Sequence, residues 1–137
     1  MKPGDILKIT QMVYIATTEG DQPHLRPMTL IWWSGRFWFA TGSRDAKVAQ
    51  IKANPKVEWS LLLPGEGCTG YLKATGAMRE ETDPAVRRSV ADAARFLYNY
   101  WKDADDPDFI LYEMQPARMR YMQPGADLEE DFLFTVH

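Results

Sequence analysis

Apolar positions along the chain follow two rhythms. The first is a series of short β-branched and aromatic runs bounded by turn residues. Residues 12–18 (MVYIATT) open this series, and their composition favours a strand. The stretch 19–23 (EGDQP) reads as a turn from its Gly, Asp and Pro. A second strand is expected over 24–33, interrupted or at an edge near Pro27, because proline has no N–H for a ladder. Ser34-Gly35 closes a tight hairpin, and 36–40 returns as a third strand. Runs 57–63 and 71–79 read as fourth and fifth strands around a Gly-rich loop at 64–69 (PGEGCT). Towards the C-terminus, 109–115 and 118–122 read as two more strands paired through Pro116-Ala117.

The second rhythm is helical. Residues 3–11 are expected to form a short opening helix with Ile6, Leu7 and Ile9 on its apolar side. A helix over 44–53 stops before Asn54-Pro55. Asp83-Pro84 opens the longest helix, with Asp as cap and Pro at its first position. On it, Val86, Val90, Ala93, Ala94, Leu97, Tyr98 and Trp101 share one face. Residues 102–108 (KDADDPD) form an acidic loop, and the tail from Gln123 is acidic and apolar by turns. Six or seven strands in mostly hairpin order, with two inserted helices, predict a mainly β fold. Barrel closure of antiparallel strands removes exposed edges, whereas a parallel doubly wound sheet needs more helices between strands.

Composition narrows the class. A chain of 137 residues suits one domain, 1–137, with a real core. It is 45% hydrophobic and 26% charged, a globular rather than disordered mixture. A net charge of -3, with basic residues spread along the chain, gives no attraction to nucleic acid or anionic lipid. The sole cysteine, Cys68, excludes an intrachain disulfide and a cysteine-cluster metal site. No apolar signal core opens the chain and no run reaches membrane-spanning length, so a soluble, cytoplasmic protein is expected. Five Trp, six Tyr and six Phe are rich for this class and suit a core that shares residues with an interface.

The candidate chemistry lies between His24 and Lys47. Ser43 stands where a helix N-cap belongs, and unpaired N–H groups at that end favour an anion. Lys47 lies about one turn on, and its Cα–Cβ bond tilts back towards the same end. Thr41 adds a hydroxyl, Gly42 allows close backbone approach, and Arg26 offers a forked phosphate contact. A proline at 27, followed by Met28 and Thr29, leaves backbone groups for a planar ligand to meet edge-on.

Other residues carry less. His24 and His137 are the only histidines, too few for a metal site without partners. Asp105, Asp106 and Asp108 lack the spacing of a calcium loop and read as solvated. Cys68 has no CxxC partner. Glu80 and Glu81 point to opposite sides of a strand. Trp32, Trp33, Trp38 and Trp59 suit core and dimer interface better than a nucleobase platform.

Three stretches resemble the pyridoxamine 5′-phosphate oxidase-like, FMN-binding split-barrel superfamily. They are YIATTEGDQPHLRPM (14–28), FWFATGSRDAKVAQIKANPKV (37–57) and YLKATGAMRE (71–80). YWKDADDPDFILYEMQP (100–116) further resembles its general stress protein 26-like branch. The resemblance implies an antiparallel Greek-key split barrel, working as a homodimer with FMN sites at the subunit interface. Arg26, Thr41, Gly42, Ser43 and Lys47 would then hold the phosphate and ribityl chain. Pro27, Met28 and Thr29 would lie along the isoalloxazine. Trp101 and the loop at Asp105, Asp106 and Pro107 would border it from the other subunit. The chain lacks the Arg-rich C-terminal segment of true pyridoxamine-phosphate oxidases, which speaks against vitamin B6 chemistry. The family also holds F420 and heme binders, and the phosphate site does not separate FMN from F420. Three functions stay open. They are an FMN-dependent oxidoreductase acting on a small molecule, a flavin-binding stress or sensor protein without efficient turnover, and a dimeric interaction module.

Overall fold

The computed structural model describes residues 3–132. His137 lies outside them. Strand runs appear where β-branched and aromatic residues alternate: β1 (Thr10–Glu19), β2 (Gln22–Trp33), β3 (Arg36–Gly42), β4 (Lys56–Gly65), β5 (Cys68–Glu80) and β6 (Phe109–Met122). A two-residue β7 (Glu130–Asp131) pairs with β6. The sheet runs β3-β2-β1-β4-β5-β6-β7, every described pairing is antiparallel, and β3 also pairs with β6. That last pairing closes six strands into a barrel. The meander β1-β2-β3 followed by β4 beside β1 is a Greek key. Helix α1 (Ala46–Ala53) links β3 to β4, and α2 (Pro84–Ala93) links β5 towards β6. The expected mainly β, split-barrel class is therefore the observed one.

Two apolar layers hold it. Inside the barrel, Ile15, Leu30, Phe37, Phe39, Trp59 and Leu72 are fully buried. Outside, α2 and the segment after it pack on the opposite face of β2, β3 and β6, burying Ile31, Trp38, Val90, Leu97 and Phe109. The period of two along β3 explains the division: Phe37 and Phe39 face in while Trp38 faces α2. Trp38 and Trp59 are core residues, Trp32 packs against the barrel interior, and Trp33 is exposed with its indole N–H donating to Ser89 Oγ at 3.2 Å.

Four expected elements differ. The opening helix shrinks to a 3-10 turn, Pro3–Asp5, because Ile9 and Thr10 already join the ladder opposite Trp32 and Ile31. The Gly-rich loop tightens to a turn at Glu66-Gly67, with Gly65 paired to Cys68. Residues 109–122 form one strand rather than two. A register shift between Thr75 and Gly76 absorbs the extra residue at Ala117, so Pro116 sits in a bulge instead of a hairpin. The helix capped by Asp83 ends at Ala93, where Ala94 leaves helical geometry (φ -108°, ψ 71°) and a 3-10 segment, Arg95–Asn99, follows. This break turns Tyr100 and Trp101 towards the barrel seam described next.

Candidate functional site

Strands β2 and β3 pair only at Ile31–Trp33 with Arg36–Trp38, next to the Ser34-Gly35 turn. Both turn residues have positive φ (56° and 70°), as a two-residue hairpin of this hand requires. Beyond Ile31 the strands part. β2 stays on β1 from Ile31 back to Gln22, while β3 follows β6 through six pairs from Phe37 to Gly42. Pro27 pairs with Tyr14 on one side and has no β3 partner on the other, so its missing N–H costs the ladder nothing. The expectation of a free edge at Pro27 holds.

The opening between the strands is a cavity of about 440 Å³. Met28 and Thr29 line it from β2, Ala40 and Gly42 from β3, and Lys47 from α1. Phe96, Leu97, Tyr100 and Trp101 cover it from the other side, with Asp108 at its end. An aromatic, mostly apolar wall with polar groups gathered at one end is the usual form of a small-molecule site.

The polar end starts at the α1 N-terminus. The N-cap is Asp45 and not Ser43: Asp45 Oδ1 accepts from Lys47 N at 3.0 Å. The Lys47 ammonium, whose residue is 8% exposed, reaches back to Asp45 Oδ2 at 2.6 Å. The hydrogen bond from Lys47 holds the Asp45 carboxyl below its usual range, and the charge of Arg26 adds to it. Ser43 is engaged elsewhere. Its N–H donates to Asp108 Oδ1 at 3.1 Å and to the Asp108 carbonyl at 2.9 Å, and its hydroxyl donates to Oδ1 at 2.7 Å. Trp101 Nε1–H donates to the other carboxylate oxygen at 3.0 Å. These bonds, Ser43 first, lower the Asp108 pKa, and Arg44 contributes by charge. Gly42 lies beneath: a methyl there would meet Asp108 Oδ2 at 3.3 Å.

The loop carrying Asp108 is pinned from α2. Arg87 donates to the carbonyls of Ala104 at 3.0 Å and Asp106 at 3.2 Å, and its guanidinium stacks 4.6 Å from the centre of the Phe109 ring. The aspartates of 102–108 serve this loop: Asp103 accepts from Asp105 N, Asp106 from Asp108 N, and Asp105 pairs with Arg88 at 3.3 Å. No cluster of three metal-ligating side chains occurs among the described residues.

The residues singled out in the sequence thus separate into groups. Met28, Thr29, Gly42, Lys47 and Trp101 line one cavity. Ser43 sits at its end through Asp108. Pro27 stands on the open edge of β2. Thr41 does not line it; it lies buried on the same side of β3 as Phe39. Arg26 lies behind α1, donating to Thr17 Oγ1 at 2.9 Å and Gln50 Oε1 at 3.0 Å. Trp101 and, from the following loop, Asp108 line the cavity of their own chain. The sequence reading passed over Asp108 as a lining residue and Arg87 as the residue that pins its loop; the DPD at 106–108, a few positions after Trp101, was the available signal. His24 lies apart, 3.5 Å from Glu19, and Cys68 is exposed.

A Greek-key barrel opened along one seam, with its cavity in that seam, defines a split barrel. The pattern of the pyridoxamine 5′-phosphate oxidase family matches residues 5–123, and the chain belongs to that family. It is similar to general stress protein 26 of Bacillus subtilis, at 24% identity over 125 residues, covering 88% of this chain and 86% of that protein. Among solved structures it resembles a NimC/NimA family protein from Clostridium acetobutylicum (TM-score 0.76, 24% identity, 88% of this chain and 82% of that one). Two further structures share the fold and are described by what they bind. One is a heme binding protein from Mycobacterium smegmatis (TM-score 0.72, 18% identity, 90% of this chain and 53% of that one). The other is a FAD-binding protein from Mesorhizobium loti (TM-score 0.64, 15% identity, 80% and 81%). Among the described residues no helix is long and apolar enough to cross a membrane.

A flavin fits part of this site plainly. The aromatic walls and the unpaired β2 edge suit a flat, polar-edged ring. The other end has the donors an anion needs, yet Asp108 and Asp45 already hold them.

Proposed function

We propose that the chain is a flavin-binding protein that seats FMN in the β2–β3 seam and serves as an oxidoreductase for a small molecule. The observation that carries this reading is the junction of an aromatic cavity with a hydroxyl, an indole N–H and a buried ammonium at one end. Family membership and the FAD- and heme-binding folds it resembles support it at the coarser level of a flavin-related function. A bound flavin would supply the electron chemistry, leaving the protein to bind and orient it. Met28 and Thr29 meet the ring, Trp101 and Tyr100 shield it from water, and Lys47 faces the phosphate end. Arg26 acts on that end through Asp45 and Gln50 rather than by direct contact.

We also propose that the protein works as a homodimer. Leu25, Met12 and Tyr14 are exposed on neighbouring outward positions of β1 and β2, beside Pro27 and Thr29 at the lip of the cavity. A second copy covering this face would enclose the ring. Cytoplasmic residence accords with both proposals.

The purified protein is expected to retain a flavin absorption spectrum after incubation with FMN and removal of the excess, and to sediment as a dimer. A colourless protein that ignores FMN overturns the reading. Similarity to general stress protein 26 favours one rival, a flavin-holding stress or sensor protein without efficient turnover. Slow reduction by nicotinamide cofactors with full flavin retention selects it. F420 and heme are the alternative ligands. For heme the cavity wall offers Met28 and Tyr100 but no histidine or cysteine among its lining residues.

A further inference from the structure

The anion position at the end of the cavity is filled by the chain itself. One carboxylate oxygen of Asp108 takes both Ser43 donors, and the other takes the Trp101 indole N–H. Carboxylate and phosphate oxygens seek the same donors, so the two groups compete for one place. The Asp108 backbone cannot easily withdraw. Its carbonyl accepts from Ser43 N, its N–H donates to Asp106, and Phe109 beside it pairs with Gly42 in the sheet. Arg87 fixes the rest of the loop.

We propose that Asp108 is a specificity-determining residue, an internal stand-in for phosphate whose carboxylate a phosphorylated flavin must displace. The inference rests on the flavin reading and concerns its charged end. Since the loop is anchored, displacement is a rotation of the Asp108 side chain and not a movement of the loop. Arg44 shares the surface recess beside Gly42, Asp45 and Asp108, and it is the cation available to the released carboxylate. Until released, the carboxylate repels the incoming phosphate. Riboflavin, which has no phosphate, meets no such opposition and reports on the ring site alone.

The test is titration of FMN and riboflavin, by flavin fluorescence, into the wild-type protein, Asp108→Asn and Asp108→Ala. Asparagine keeps the acceptor for Ser43 and removes the charge. FMN is expected to bind Asp108→Asn about ten-fold more tightly than wild type, with riboflavin altered less than about two-fold, because only the like-charge opposition is removed. Wild type is expected to prefer FMN to riboflavin by less than about ten-fold, a measurement independent of how well any variant folds. FMN affinity unchanged or weakened in a folded Asp108→Asn, while riboflavin still binds, overturns the role of Asp108 and spares the flavin reading. Absence of binding by either flavin to any of the three proteins overturns both.

Discussion

Among the described residues, two of the cavities on this barrel have the same volume, about 440 Å³, and they differ in character. The second lies where β3, β5 and β6 meet, beside Arg36, Arg79, Glu113 and Pro116. There the charges answer one another. Arg79 bonds Glu113 at 2.8 Å and Glu81 at 3.1 Å, and Arg36 lies 3.8 Å from Glu113. Both glutamates are buried at 7% exposure, and a buried carboxylate that keeps its cations is a structural device. In the seam, by contrast, a buried Lys47 leans on a half-exposed Asp45, and the nearby donors of Ser43 and Trp101 close on an exposed carboxylate. Equal volume therefore says little about function. What differs is whether the polar groups are paired within rigid strands or held by groups that can turn into solvent.

Substitutions on each side sharpen this contrast. Arg79→Ala leaves two buried carboxylates short of a cation. It should lower stability by about 2–3 kcal/mol, less than for a fully buried pair because the guanidinium is partly solvated. Urea unfolding measures this, and flavin affinity should stay within error. A large loss of flavin binding would erase the distinction. Lys47→Ala should do the reverse, weakening FMN binding by roughly 1.5–3 kcal/mol in calorimetric titration with a smaller change in the urea midpoint. Arg26→Ala should weaken FMN binding by about 1 kcal/mol, since its bonds run to Thr17 and Gln50, and should also cost some stability. Equal binding losses for Lys47 and Arg26 would mean that Arg26 turns to the ligand directly.

The smallest effect lies away from both cavities. The Tyr71 hydroxyl, then Lys73 and Arg120, hold the Glu129 carboxyl at about 2 instead of 4.5. A depressed folded pKa means that the contribution is present above pH 4.5 and is lost as pH falls towards about 2. Glu129→Gln should flatten the thermal midpoint's dependence on pH across that window. It should leave the seam's flavin affinity untouched.

Local chemistry made much of this legible. The hairpin at Ser34-Gly35, the free edge at Pro27 and the Asp83-Pro84 helix start each depend on residues adjacent in sequence. The barrel followed from strand count and order. What was not legible depended on distant partners. Ser43 and Asp45 are both fit to cap a helix, and the choice is made by Asp108, 65 positions away, which takes the Ser43 hydroxyl. The helix accordingly starts at the next capping residue. Arg26 was drawn towards the anion by its place in the sequence, but Gln50 on the next helix holds it. The proline at 116 signals a turn to any local reading. Only the bulge opposite Thr75-Gly76 lets a single strand pass through it.

Continued in register, β2 and β3 would set Thr29 opposite Ala40 and Pro27 opposite Gly42, the very stretch that lines the cavity. The pocket is thus a zipper left undone. Pro27 lies within the undone stretch, and without an N–H it cannot supply one of the bonds that would draw the two strands together. Room for a ligand is accordingly written into the backbone as hydrogen bonds withheld from Leu30 down to Pro27.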